Sequence, residues 1–185
     1  LYTGTGDYER IGSTNKGTDN LMLGISDPHY PAYRDVAVAT KASALTNCKN
    51  TTKDTTGAKC PQTPKDVGWY ITLDDFQKVT AEPTVSSGLV YFPIYKPSSS
   101  VNKCSLGDAF ICGVDDECGT NVSNKLGSFR NKKDTCMYVG QGVLSRIVVY
   151  ANKLFANIAG QSTNAQKKDL VCLLYTSDAA DEYDR

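Results

Sequence analysis

The chain has 185 residues, with 20 Lys and Arg against 20 Asp and Glu, one histidine and seven cysteines. A balanced charge argues against an electrostatic binder of nucleic acid or anionic membrane, and no apolar run is long enough to span a bilayer as a helix. Sparse helical signals and a richness in Gly, Thr, Ser, Asn, Val and Tyr, with short apolar stretches between turn residues, predict an all-β protein with long loops.

In chain order, Leu1-Tyr2-Thr3-Gly4-Thr5-Gly6 reads as a strand running into a turn, and Asp7-Tyr8 does not continue it as a dinucleotide fingerprint. Because the chain opens inside a strand with no initiator Met, it reads as a piece of a longer protein, open at both ends. Residues from about 15 to 65 form a polar insert that holds His29, between Pro28 and Tyr30, and the cysteines Cys48 and Cys60. Those two bracket a Thr/Lys/Gly-rich stretch and are the natural disulfide pair.

The best strand signals lie between residues 68 and 95. Gly68-Trp69-Tyr70-Ile71-Thr72-Leu73 ends at the turn signal Asp74-Asp75, residues 78–85 follow, and after Ser86-Ser87-Gly88 comes Leu89-Val90-Tyr91-Phe92-Pro93-Ile94-Tyr95. Together they predict three strands of one antiparallel meander. Pro83 and Pro93 cannot donate to a ladder, so they belong near strand ends, at bulges or on an edge.

A second polar insert runs from 97 to 135 and carries Cys104, Cys112 and Cys118, with Cys136 at its end. Within it, Asp115-Asp116-Glu117, with Asp108 near in sequence, offers oxygen ligands to a hard cation. The acidic run lacks the D-x-D-x-D/N-G spacing that wraps calcium in one short loop, and it reads better as a solvated turn between Cys112 and Cys118. The sequons Asn50-Thr51-Thr52 and Asn121-Val122-Ser123 are formal matches of little weight. The sequence shows no catalytic constellation, cofactor motif or metal-ligand set.

Residues 137–159 predict the strands of a further unit. Within them Val149-Tyr150-Ala151-Asn152-Lys153-Leu154-Phe155 resembles Val85-Ser86-Ser87-Gly88-Leu89-Val90-Tyr91, at a spacing of 155 − 91 = 64 residues. Small antiparallel sheets repeated at such a period suggest propeller blades with insertions; periodicity alone does not exclude a β-sandwich.

The stretch from Cys172 to Glu182 is similar to one translated frame of a transposase adapter used in preparing sequencing libraries. On that reading residues 1–171 are a fragment of a propeller domain, and 172–185 are a non-native, adapter-derived tail to be left out of fold reasoning. Without the tail, 20 − 1 = 19 basic and 20 − 4 = 16 acidic residues remain, and the cysteines become an even six. Six cysteines without a C-x-x-C pair favour disulfides over zinc, and with them an oxidising compartment. Cys104, Cys112, Cys118 and Cys136 allow three connectivities; the favoured one joins Cys112 to Cys118 across the acidic turn and Cys104 to Cys136 as a clasp at the base of the second insert. The clasped loops are then the expected binding face.

The chain resembles the C-terminal propeller of PilY-type (PilC-type) proteins, the tip-associated adhesins and assembly factors of bacterial type IV pili. The carrying motifs are Gly4-Thr5-Gly6-Asp7-Tyr8-Glu9, Gly24-Ile25-Ser26-Asp27, Gly68-Trp69-Tyr70-Ile71-Thr72-Leu73, Lys78-Val79 through Glu82-Pro83-Thr84-Val85, Gly88-Leu89-Val90-Tyr91-Phe92 and Val139-Gly140-Gln141-Gly142-Val143-Leu144-Ser145, in the family's order. The resemblance implies a partial β-propeller of four-stranded blades and a non-enzymatic role in pilus biogenesis and adhesion. It also implies a place between periplasm and cell surface, with pilin or minor pilins and host or surface ligands as partners. The family's calcium loop is missing here, so calcium dependence is not carried over to these residues and no cofactor is expected in them; a calcium site elsewhere in the full-length protein stays open. The alternatives are another secreted or surface binding propeller and a periplasmic quinoprotein dehydrogenase fragment. The latter would bind pyrroloquinoline quinone and calcium; Trp69 as the single Trp and the lack of an adjacent Cys-Cys pair speak against it.

Overall fold

The computed structural model describes residues 1–6, 9–14, 19–26, 45–47, 68–74, 76–99, 106–120, 135–160 and 170–173, the last segment and 46–47 by backbone alone. These residues form three β-sheets and contain no helix. The first sheet holds β1 (Tyr2–Gly4), β2 (Leu21–Ile25), β3 (Thr46–Asn47) and β4 (Gly68–Thr72), in the order β1-β2-β4-β3. The second holds β5 (Lys78–Val79), β6 (Thr84–Ser86), β7 (Leu89–Lys96), β8 (Asp108–Asp115) and β9 (Cys136–Gln141), with β5 and β6 both on β7 and the order continuing through β8 to β9. The third holds β10 (Val143–Leu144), β11 (Val148–Tyr150), β12 (Lys153–Ala159) and β13 (Leu170–Leu173), all paired with β12. Every pairing is antiparallel except β3 on β4.

Strand alternation sends successive side chains to opposite faces, and the second sheet uses both. Val90, Phe92, Ile94, Cys112 and Val114 pack with Met22, Trp69 and Leu73 of the first sheet and its connection. Leu89, Tyr91, Ala109 and Ile111 pack with Leu144, Ile147, Leu154 and Ala156 of the third. The second sheet is therefore the middle layer of a stack of three. Phe92, Ile94, Ile111 and Val90 are each at most 1% exposed, and full burial of such a side chain is worth about 1.5–3 kcal/mol.

The 64-residue sequence repeat is a structural one. Val85 pairs with Val90 across the β6–β7 turn, and Val149 pairs with Leu154 across the β11–β12 turn. Both turns have two residues with positive φ, Ser87 (52°) and Gly88 (76°) in one, Ala151 (47°) and Asn152 (58°) in the other. That backbone matches the twist of paired strands. Equivalent positions also meet between layers: Thr80 Oγ1 donates to the Leu144 carbonyl at 3.2 Å, where 144 − 80 = 64, and Arg146 meets Glu82 at 3.1 Å, where 146 − 82 = 64.

Pro93 explains why residues 78–85 form two strands rather than the single one expected. The chain direction and register make Pro93 face β5, and its carbonyl accepts from Thr80 N at 3.2 Å. The reciprocal bond needs a Pro93 N–H that does not exist, so the ladder stops at Thr80. The chain steps out over residues 81–83, then rejoins β7 at Thr84 opposite Tyr91.

Three further expectations are corrected. Residues 68–72 do not share a meander with those that follow: β4 pairs β2 and β3 in the first sheet, and the turn after it leads into the second. The two inserts are not merely loops, since they contribute β2, at the centre of the first sheet, and β8, at the centre of the second. Residues 137–141 close the second sheet as β9, and only from β10 onward does the chain build the third. At the far end, β13 runs two residues past Val171, with Cys172 opposite Phe155 and Leu173 opposite Leu154. Residues 174–185 lie outside the described ones.

Candidate functional site

The favoured disulfide pairing is also overturned. Cys112 is bonded to Cys136, with Cα atoms 4.0 Å apart, so neither Cys112–Cys118 nor Cys104–Cys136 forms. The register explains it. Gly113 N donates to the Thr135 carbonyl at 2.9 Å, which makes the adjacent Cys112–Cys136 pair the non-hydrogen-bonded kind, where opposed residues come closest. The bond is a cross-strand staple between β8 and β9, not a clasp at the base of the insert. Cys118 is also disulfide-bonded and fully buried. Cys48, Cys60 and Cys104, and with them the Cys48–Cys60 pairing, lie outside the described residues, as do His29 and both sequons.

The acidic run is built into the turn that ends β8. Asp115 is 6% exposed, and its Oδ1 accepts from the backbone N–H groups of Glu117 at 3.2 Å and Cys118 at 3.0 Å. Gly119 N returns to the Asp115 carbonyl at 2.8 Å, and Asp115 N donates to the Thr120 carbonyl at 3.0 Å. Gly119 has φ +63° and lies on the Trp69 ring, where a Cβ would collide with it. Asp115 is thus a structural carboxylate that closes its own turn. Asp108 stands at the opposite end of the eight-residue β8, about 23 Å away at 3.3 Å per residue, so the structure does not gather it with the other three. Among the described residues no group of three or more Asp, Glu, His or Cys is placed to hold a metal ion.

Asp116 ties this turn to the first sheet. Its carbonyl accepts from Tyr2 Oη and from Trp69 Nε1, each at 3.0 Å, while its N–H extends the β7–β8 ladder to the Gly88 carbonyl at 3.1 Å. The two rings stand 6.1 Å apart, tilted by 41°. Gly24 is required between them, since any Cβ there would enter the Trp69 indole.

Beside this junction opens a cleft of about 380 Å³ bounded by Tyr2, Gly24, Gly68, Trp69, Asp116 and Glu117, among others. Burial, and then the charges of Asp116, Asp115 and Glu117, push the Tyr2 phenol above its ordinary 10.0. The cleft offers carboxylates and an aromatic wall, so the chemistry that suits it is a cationic or donor-rich group. Sequence reading found the acidic run but not Tyr2 or Trp69 as its partners; a lone Trp beside Gly68 was the one available signal. No family model, curated protein or solved structure matches the chain.

Proposed function

We propose that the chain is a partial β-propeller of a PilY-type factor, a non-enzymatic protein of type IV pilus biogenesis and adhesion, acting between periplasm and cell surface. The observation that carries the architectural half is the repeat. The second sheet is an interrupted first strand, β5 with β6, followed by β7, β8 and β9 as a sequential meander. The third begins in the same way, β10 with β11 followed by β12, and the first sheet supplies β1, β2 and β4 in meander order. Three such layers, each burying a face on the next, are what consecutive propeller blades would present.

The functional half rests on the motifs in family order and on cystine chemistry. The Cys112–Cys136 bond is compatible with an oxidising compartment. In this reading the sheets are scaffold, and pilin or minor pilins are the partners. The test is direct binding of purified major and minor pilins to the immobilised chain by interferometry. Saturable binding to a pilin supports the proposal. Absence of binding at tens of micromolar, on the order of the weak end of specific association, overturns the pilus assignment. Calcium-dependent binding of pyrroloquinoline quinone with dye reduction would place the chain with the quinoprotein dehydrogenases instead.

A further inference from the structure

The strand that opens the third sheet is interrupted, as the one that opens the second is. In the second sheet Thr80 bonds to Pro93 and Thr84 stands opposite Tyr91, which leaves residues 81–83 against Phe92 alone. In the third, Ser145 N donates to the Asn157 carbonyl at 2.8 Å and Val148 stands opposite Phe155. Arg146 and Ile147 are left against Ala156 alone, and two residues against one is the count of a β-bulge. Asn157 holds the place of Pro93, since 157 − 64 = 93.

Asn157 has the N–H that Pro93 lacks, so something else must keep this ladder from running on. In a regular hydrogen-bonded pair that N–H would go to the Ser145 carbonyl. It goes instead to Ser145 Oγ, at 3.0 Å, and the same hydroxyl donates to the Arg146 carbonyl at 3.1 Å. The bulge then decides the packing. Unbroken alternation would send Leu144 and Ile147 to opposite faces. With one residue added between them both pack on the second sheet, 2% and 0% exposed, with Val149 beside them. The Ile147 carbonyl accepts from the Thr84 hydroxyl, and Arg146 meets Glu82 at 3.1 Å, so both bulge residues reach the interrupted strand of the layer behind.

We infer that the bulge at Arg146 and Ile147, held by the Ser145 hydroxyl, is the conformational device that docks the third sheet onto the second. Ser145 does by hydrogen bonding what Pro93 does by having no donor. The inference rests on these contacts and is independent of the pilus assignment.

Hydrogen exchange of residues 143–159 in the full chain tests it, with circular dichroism to establish folding. Proline inside a paired strand ordinarily breaks it, yet Asn157→Pro should fold, because the N–H it removes serves only Ser145. Lys153→Pro, opposite Tyr150 on the same strand, should lose the sheet. Ser145→Ala should speed exchange about fivefold, Ser145→Thr should keep the parent rate, and adding Asn157→Pro to Ser145→Ala should slow exchange again. Deleting Arg146 removes the extra residue and should speed exchange far more than Arg146→Ala, which keeps it. Asn157→Pro unfolding like Lys153→Pro overturns the inference, as does Ser145→Ala exchanging at the parent rate. So does a chain without Arg146 that exchanges no faster than Arg146→Ala, because the added residue would then not be what sets the two side chains on one face.

Discussion

Replacing both Cys112 and Cys136 tests how far the cross-strand bond holds the middle layer together. The bond spans a separation of 24, closing a loop of 24 + 1 = 25 residues. Restricting such a loop in the unfolded chain is worth about 3.5 kcal/mol. Cys112 is fully buried among Val90, Phe92 and Trp69, so Cys112→Ala also leaves a small void, on the order of 1 kcal/mol. The Ala pair should therefore lose about 4–5 kcal/mol, a large share of the 5–15 kcal/mol typical of a folded domain.

Urea unfolding followed by tryptophan fluorescence gives the measurement, because Trp69 is the single Trp, is 1% exposed and lies in the same core as Cys112. A Val pair at the two positions separates crosslink from packing, since it fills the space without joining the strands. It should recover only the smaller part of the loss. If the Val pair restores nearly all the stability, or the Ala pair costs under 1 kcal/mol, the crosslink argument fails. Peptide mapping without reduction checks the connectivity independently: a Cys112–Cys118 peptide would refute the register on which the estimate stands.

Gly119→Ala should cost about 2–4 kcal/mol in the same assay, from the left-handed backbone and displacement of the Trp69 ring. Thr120→Val should stabilise by about 1 kcal/mol, because the Thr120 hydroxyl is buried without a hydrogen-bond partner. Tyr2→Phe should cost about 1 kcal/mol at neutral pH through the lost bond to the Asp116 carbonyl. Since the folded Tyr2 phenol ionises above the usual 10.0, the unfolded chain loses its proton first, and the parent loses stability from pH 10 up through the folded pKa; the gap to Tyr2→Phe should narrow over that range in pH-dependent urea titrations. Ala151→Asn with Asn152→Gly should raise the thermal midpoint, by about 0.5 kcal/mol of stability, because both positions have positive φ in a two-residue hairpin.

The strands that sequence reading placed best are those whose partners follow at once. The β6–β7 and β11–β12 hairpins show themselves through Ser87-Gly88 and Ala151-Asn152, because a two-residue turn fixes the register locally. The partner of β4 was not legible in the same way. Asp74-Asp75-Phe76-Gln77 looks like one more hairpin turn, but Phe76 adopts φ 64° and the chain passes into another sheet. A positive φ is announced by Gly or Asn and not by Phe, so nothing local marked the change of layer. Asn20 secures that passage from a distance, its carbonyl accepting from Leu73 N at 2.9 Å and its side chain donating to the Gln77 carbonyl at 2.8 Å.

The site is harder to read because in the sequence its cysteines and carboxylates fall within a stretch that has the composition of a loop. Ala109-Phe110-Ile111-Cys112-Gly113-Val114 is an apolar run of strand length, and in the fold it is the buried middle of β8. Once Cys112 belongs to a strand, its partner is set by register and not by closeness in sequence, which is why Cys136 wins over Cys118. The same shift changes Asp115, whose carboxylate caps the backbone of its own turn, and leaves only Asp116 and Glu117 to face the cleft. What fixes the site is a long-range fact: the Asp116 carbonyl has to meet Tyr2 and Trp69, residues 114 and 47 positions away. Such contacts exist only after the first two layers have stacked, so the cleft is a product of layer packing and carries no motif of its own.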